Sequence, residues 1–581
     1  MKNYRKYILL LLALSPLFAA CDKMLDVTPK DRLTPSDYFK DENELELYSN
    51  RFYNNILPGG ATIYKEIGDN MIWTPLENEI SCQRTVPEEG GGYTFTALRQ
   101  VNFFLENVGN CPDKKAVAKY RGIAKFFRAY FYFEMVKRFG DVPWIDHVPA
   151  SDDPDLYKPR DSREVVMDHI LQDLDEAIVD LEKTKSKKNV YRVHWWTAQA
   201  LKSRVGLFEG TFRKYHGLGN YEKYLNACVE ASESFLSGGY SLGDSYREIF
   251  IANNASKEYI FARDYDRTID LNNGVYNTFN SSGQGRASFT RKFINTYLMS
   301  DGSRFTDQPG WKTMEFKDEI KNRDGRLVQT IRTGNGLNFS VCLTGYQPMK
   351  YIADEAFFST EHAYNDLPLF RLPEMYLNYA EAKAELNTLT QDDLDISVNK
   401  LRERAGFLPS GFLNMATANA NPDPYLCSAE TGYGNLGALN TINKGVILEI
   451  RRERTIELVQ ESHQRYYDLM RWKEGQCITQ DFEGIYIPAG KLNQAYDVDG
   501  DGNDDICVYN TPDRPSGVNV PTYIKLGGDG IKLNGNSGES GNMVFFSFLT
   551  RVWNEDRDYL YPIPNEDVVL TNGVVKQNPG W

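Results

Sequence analysis

The sequence predicts a mainly α chain: a degenerate helical array carrying a mixed, loop-rich region with few short strands. Three observations predict it. Stretches of helical period recur along both halves of the chain, joined by short turns. Between them lie two long tracts rich in Gly, Asn and Asp in which no helical period survives. At 581 residues the chain is also too long for one simple core, so it either divides into domains or repeats a small unit. The expected divisions are a leader at 1–20, an N-terminal helical region at 21–265, an irregular insertion at 266–366, and a C-terminal region at 367–581 whose stretch 476–550 is loop-like.

Taken in order, the chain opens on Lys2, Arg5 and Lys6, an apolar run from Ile8 to Phe18 too short to span a bilayer, and Ala19-Ala20-Cys21. This pattern resembles a bacterial lipoprotein signal, with Phe18 where an aliphatic residue is usual, and it makes Cys21 the acylated N-terminus. Acyl chains anchor without a transmembrane helix, each buried methylene contributing about 0.8 kcal/mol. Helices are then expected at Asp41 to Leu57, Thr96 to Val108 and Pro112 to Phe139, the last crowded with rings on nearly every side and ending at Gly140. Asp161-Ser-Arg-Glu164 reads as a capping box before a helix reaching Leu181. Trp195 to Phe212 mixes Ala, Gly and large apolar residues, as closely packed helix pairs require, and Tyr221 to Leu236 follows. Helix, turn and helix of similar length, with small residues at the crossings, resembles a degenerate tetratricopeptide array. Tyr259-Ile-Phe261 reads as a strand, and helices resume at Leu372 to Leu386 and Leu394 to Ala405.

Val446 to Trp472 reads as one long amphipathic helix. Glu449, Glu453, Glu457 and Glu461 recur on it every fourth residue, and bare like charges at that spacing repel. Arg452 and Arg454 can reach Glu449 and Glu457 within the helix; Glu453 and Glu461 require arginines from a neighbour. With Arg402, Arg404 and Arg471 the pattern reads as a partly buried ion-pair network that fixes geometry.

The net charge of −14 and a pI near 5.2 exclude nucleic acid, which needs a basic stripe to replace counterions. Seven cysteines besides Cys21 show no C-x-x-C pair and cannot all pair with one another, so buried free thiols are expected. No H-E-x-x-H, G-x-S-x-G or P-loop lysine motif is present, and the carboxylates of the Glu-rich helix lie beside arginines that keep them ionised, so no enzyme is expected.

Several stretches together resemble the SusD/RagB family of outer-membrane nutrient-binding lipoproteins. They are the Cys21 signal, Phe127 to Pro143, Leu369 to Ala382, Asn399 to Gly406, Glu453 to Glu461 with Tyr467 to Trp472, and Tyr561-Pro-Ile-Pro564 with Gln577 to Trp581. The resemblance implies tetratricopeptide-like helices supporting an irregular region that holds an oligosaccharide. It also implies a partner, a SusC-like TonB-dependent transporter in the outer membrane, over which the lipoprotein sits. A helical scaffold that binds only protein or peptide partners is the second reading.

Sugar binding asks for aromatic faces and for amides, carboxylates or guanidinium to take hydroxyls. In the irregular regions the expected residues are Trp73, Tyr276, Phe279, Trp311 and Tyr346, with Asn277 and Arg286 as polar partners. Asp497-Val-Asp499-Gly-Asp501-Gly-Asn503-Asp-Asp505 has the layout of a calcium loop, with Gly502 at the sharp turn and no bidentate Glu at the twelfth position. Ca2+ is therefore the expected cofactor.

Overall fold

The computed structural model describes residues 38–581 except 185–188, 252–256, 282, 335, 353–362, 429–430 and 432–441. The leader and Cys21 lie outside the described residues. Helix α1, Glu42–Asn55, is capped by Asp41, whose carboxylate accepts the Glu44 N–H. Then follow α2 (Thr96–Asn107), α3 (Lys114–Phe139), α4 (Arg163–Asp180), α5 (Trp195–His216) and α6 (Tyr221–Leu236). Two helix starts differ from expectation. Pro112, expected at the start of α3, lies before its cap Asp113, and Ser162 rather than Asp161 caps α4, because the Asp161 carboxylate is taken by the Trp144 N–H.

Neighbouring helices pack on one another in chain order from α2 to α6, the arrangement of a helical array. The tightest crossing is α5 on α6. A Cβ at Gly206 would lie 2.6 Å from the Tyr224 carbonyl, so only glycine permits this approach. The small residues between Trp195 and Phe212 therefore serve the purpose the sequence suggested.

The array continues with α7 (Arg291–Thr296), α8 (Leu372–Glu385), α9 (Val398–Arg404), α10 (Lys444–Glu457) and α11 (Gln464–Arg471). Helix α8 packs on α5, α6 and α10. The expected single helix from Val446 to Trp472 is two helices. Gln460, Ser462 and His463 take left-handed backbone between them. The break is tertiary in origin: the Gln460 N–H donates to the Glu66 carboxylate at 2.5 Å and the Ser462 N–H to the Ile63 carbonyl at 2.7 Å. Nor is α10 amphipathic, since every residue from Gly445 to Glu457 is buried.

Its carboxylates are matched instead. Glu453 takes Arg402 at 2.7 Å and Arg326 at 2.8 Å. Glu457 takes Arg371 at 2.6 Å, Arg326 at 3.1 Å and also Arg404. Glu461 takes Arg371 at 2.8 Å and Lys350 at 2.5 Å, and Arg452 meets Glu449 within the helix at 3.2 Å. Arg454 does not reach Glu457; it and Arg471 converge on Asp468, each at 2.8 Å.

The strands form four small sheets. β1 (Met71–Ile72) pairs antiparallel with β3 (Ser288–Phe289), and β2 (Tyr259–Arg263) with β4 (Leu367–Arg371). β5 (Phe482–Ile487), β8 (Lys532–Gly535) and β9 (Ser540–Phe545) make an antiparallel sheet with β9 central. β6 (Ile506–Tyr509) and β7 (Thr522–Lys525) run parallel. β4 ends on Arg371, which begins α8 and so carries the network arginine into the helical core. The seven described cysteines are free thiols. Among the described residues no helix is long and apolar enough to cross a membrane.

Candidate functional site

A cleft of about 610 Å³ opens where the insertion meets the C-terminal loop-rich stretch. One wall is α7 with the short turn Trp311–Thr313; the other is the β5–β9–β8 sheet. Arg291 ties them together from beneath. Its Nη2 donates to the carbonyls of Trp311 and Met314, each at 3.1 Å, and its Nη1 donates to the Asn542 amide oxygen at 2.9 Å. Asn534 and Asn542 in turn donate to the two oxygens of Glu483 at 2.6 and 3.0 Å. The sheet wall is thus a fixed row of amides around one carboxylate, extended by Gln480, Asp481 and Asn536.

Two half-buried rings line the cleft with this row of polar groups, Trp311 on the opposite wall and Tyr486 on the sheet itself. Trp311 rests its edge on Tyr425 at 5.6 Å and 81°, so its position is fixed by packing while part of its surface stays open. Tyr486 stands on β5 opposite Asn542 in the strand register. Aromatic faces with converging amides are the chemistry that binds sugar C–H faces and hydroxyls.

Of the residues expected to contact ligand, Trp311 lies on the cleft. Trp73, Phe279 and Tyr346 are interior, which corrects the expectation of open faces for them. Trp73 packs against Phe279 at 5.8 Å and donates its indole N–H to the Glu66 carbonyl at 3.1 Å; the Tyr346 hydroxyl donates to Glu319 at 2.7 Å. Arg286 spends a guanidinium nitrogen on the Phe339 carbonyl at 2.7 Å. Tyr276 and Asn277 sit half-buried on the short helix Val275–Asn280, off the cleft wall. Tyr486 and the amides at Asn295, Asn534 and Asn542 carried no sequence signal beyond the Asn- and Gly-rich composition of their surroundings.

A second cavity, about 550 Å³, lies among α3, α5 and α11. Several of its charges are matched within it: Lys137 with Glu134 at 2.6 Å, and Asp468 with Arg454 and Arg471. It offers no comparable row of amides.

Of the five residues expected to hold calcium, the acidic loop brings three together, with Asp505 outside the group and Asn503 turned onto Asp501. Carboxylate oxygens of Asp497, Asp499 and Asp501 lie within 4.8 Å of one another. Gly502 at the turn has φ +92°, and its N–H donates to Asp497 at 2.9 Å. One Asp499 oxygen is buried without a hydrogen-bond partner. Asp505 accepts the Val498 N–H at 2.8 Å, and burial together with the charges of Asp499 and Asp497 pushes its pKa up to about 6. The Asn503 amide turns onto Asp501 at 3.1 Å. Clustered, partly desolvated carboxylates of this kind fit a hard divalent cation.

Two family profiles match the chain, one described as SusD family over residues 338–581 and one as starch-binding associating with outer membrane over residues 67–207. The SusD-like protein P38 of Formosa agariphila is 23% identical over 511 residues, covering 81% of this chain and 91% of its own length. The starch-binding protein SusD of Bacteroides thetaiotaomicron is 25% identical over 222 residues, 38% of this chain and 37% of its own. Two solved structures from Bacteroides fragilis share the fold. A SusD-like protein superposes with a TM-score of 0.67 at 22% identity, covering 95% of this chain and 100% of the other. A SusD-like carbohydrate-binding protein gives 0.65 at 18% identity, covering 92% and 98%. With the helical array, the order of its motifs and both profile matches in agreement, the chain belongs to the SusD family.

Proposed function

We propose that the protein is a cell-surface glycan-binding lipoprotein, anchored to the outer membrane at Cys21, that captures an oligosaccharide and passes it unchanged to a SusC-like TonB-dependent transporter. The observation that carries this reading is the cleft, in which Trp311 stands on the wall opposite the amides of Asn534, Asn536 and Asn542 and Tyr486 stands beside them on the sheet. The family profile described as starch-binding and the relatives named for starch or carbohydrate binding support the ligand class. Binding without chemistry is supported by the cleft's own carboxylates. Among the described residues its wall holds Asp481 and Glu483, both on one side, with Glu483 occupied by two amides, whereas glycoside hydrolysis needs two carboxyl groups flanking the bond. Calcium belongs to the same proposal, held by Asp497, Asp499 and Asp501 with Asp505 behind them, and its role there is to fix the loop that leads into β6.

The test is a glycan array and calorimetric titration of the chain lacking residues 1 to 21. Saturable binding to an oligosaccharide with no sugar released supports the reading. A blank array from a protein that still co-purifies with a β-barrel transporter favours the scaffold reading, and release of sugar from any polysaccharide contradicts the non-catalytic one.

A further inference from the structure

We infer that Glu483 is a positioning residue of the cleft: it holds the amides of Asn534 and Asn542 each in one orientation and acts on the ligand through them; this rests on the reading of the cleft as the glycan site. The first observation is the register of the sheet. Asn542 lies two residues from Val544 on β9, so the two share a face, and Glu483 on β5 stands opposite Val544. Tyr486 stands opposite Asn542. Glu483 and Tyr486 are three residues apart, a spacing that in a regular strand sends side chains to opposite faces. A register shift falls between them, and shifts of this kind re-aim side chains, here putting both on the face of Asn542. A second shift, between Leu533 and Gly535 on β8, falls at Asn534. All four side chains belong to the cleft wall.

The second observation is the direction of each hydrogen bond. A guanidinium can only donate, and Arg291 gives its Nη1 hydrogen to the Asn542 amide oxygen at 2.9 Å. The Asn542 amide nitrogen must then turn the other way, where it donates to one oxygen of Glu483 at 3.0 Å. The Asn534 amide oxygen accepts the backbone N–H of Asn542 at 2.9 Å, and its nitrogen donates to the other oxygen of Glu483 at 2.6 Å. Both amides are thus pinned at oxygen and at nitrogen, and Glu483 is the acceptor they share. A glutamine in its place accepts at one end only and sets its own N–H2 against an asparagine N–H2. Asn542 is kept in place by Arg291, whereas Asn534 is exposed, so Asn534 is the amide that would turn. Binding groups serve a ligand only when a surrounding hydrogen-bond shell fixes their orientation, and here one carboxylate supplies that shell.

The experiment is a double-mutant cycle on the folded chain lacking residues 1 to 21, titrated with the tightest binder from a panel of gluco-, galacto- and manno-oligosaccharides and oligogalacturonates. Glu483→Gln, nearly the same size and shape, should weaken binding by about fivefold or more while melting temperature is recorded beside it. In the Asn534→Ala background the glutamine oxygen still accepts from Asn542 and its nitrogen opposes nothing, so Glu483→Gln should there change affinity by less than about twofold. A crystal structure of Glu483→Gln should show the Asn534 amide turned or displaced and Asn542 still on Arg291. If Glu483→Gln costs the same factor in both backgrounds, Glu483 touches the ligand itself and the inference is overturned. It is equally overturned if Glu483→Gln has no effect on affinity, or if Asn534 keeps its orientation in that variant. These outcomes leave the cleft standing as long as Trp311→Ala and Tyr486→Ala weaken the same ligand. If neither does, or if no member of the panel binds, the reading of the cleft fails and the inference falls with it.

Discussion

Glu457 and Arg371, separated by 86 residues in sequence, meet at 2.6 Å in a position where both side chains are essentially sealed from solvent. Around this contact the C-terminal half of the protein is joined: Arg371 ends β4 and begins α8, Glu457 ends α10, Arg404 comes from α9 and Arg326 from the insertion. Burial alone would raise the Glu457 pKa, but Arg404, Arg371 and Arg326 outweigh it and hold the carboxyl well below the ordinary range. Removing one partner from such a cluster leaves buried charge uncompensated. Glu457→Gln should therefore lower unfolding free energy by about 3–5 kcal/mol, measured by urea denaturation, and leave ligand preference unchanged in the protein that folds.

Acid should unfold the protein through the same groups. Glu457 and Glu381 both have folded pKa values below their unfolded ones, Glu381 being held at about 2 by Arg471, Arg454 and Arg451 against the opposing effect of burial. A depressed carboxyl contributes stability that is complete above the unfolded value near 4.5 and disappears as pH falls toward the folded one. Stability measured by denaturant titration should fall steeply below pH 4.5.

Glu66 works in the opposite direction. Burial raises its pKa to about 7 despite hydrogen bonds from Gln460 and Asn70. A carboxyl whose folded value lies above its unfolded one is protonated in the native state while ionised in the unfolded chain, so stability declines as pH rises from about 4.5 to 7, by on the order of 3 kcal/mol. Glu66→Gln, which keeps an oxygen for the Gln460 N–H, should flatten the profile over that window. An unchanged slope would place the titration elsewhere.

Gly206→Ala sets helix propensity against packing. Alanine is better than glycine in a helix by about 0.8–1 kcal/mol, yet its methyl group would press on the backbone of α6 at Tyr224 and Cys228. Backbone cannot swing aside as a side chain can, and overpacking of this kind costs about 1–3 kcal/mol. The variant should be destabilised on balance, seen as a lower denaturation midpoint; a gain in midpoint would mean that α5 and α6 separate more easily than the geometry allows.

Calcium should raise the melting temperature. At a concentration one hundred times its dissociation constant a bound ligand stabilises by about 2.7 kcal/mol. Asp499→Asn, which removes a charge at the centre of the Asp497–Asp499–Asp501 cluster, should abolish that rise while leaving the calcium-free melting temperature unchanged or higher.

The sequence made the helical array legible because α3, α5 and α6 each carry a local signal: rings around Phe127 to Phe139, small residues at Gly206 and Gly210, a clean apolar face on Tyr221 to Leu236. The pairing need of Glu453 and Glu461 was equally visible, as was Arg402 as one partner. Arg326, Arg371 and Lys350 were not, because they come from turns and a strand end, where no period marks which side chain points inward. The break between α10 and α11 was hidden for a related reason. It contains neither Gly nor Pro and is set by hydrogen bonds to Ile63 and Glu66, which the local sequence does not encode. At the cleft, Trp311 could be picked out as a large ring in a polar tract. Tyr486, Asn295 and Asn542 belong to separate segments that become a site only when α7 is set against the β5–β9–β8 sheet, while Trp73 and Tyr346 have the same local context as Trp311 and differ from it only in tertiary burial.

The most direct measurement is calorimetric titration of the soluble chain with the best ligand from a glycan panel, repeated on Trp311→Ala and Tyr486→Ala proteins of matched melting temperature. The account predicts saturable binding by the unaltered chain, no sugar release, and a loss of affinity of at least tenfold, about 1.4 kcal/mol, in each variant. Unchanged affinity in both folded variants would contradict it, and would mean that the ligand is held somewhere other than the cleft between α7 and the C-terminal sheet.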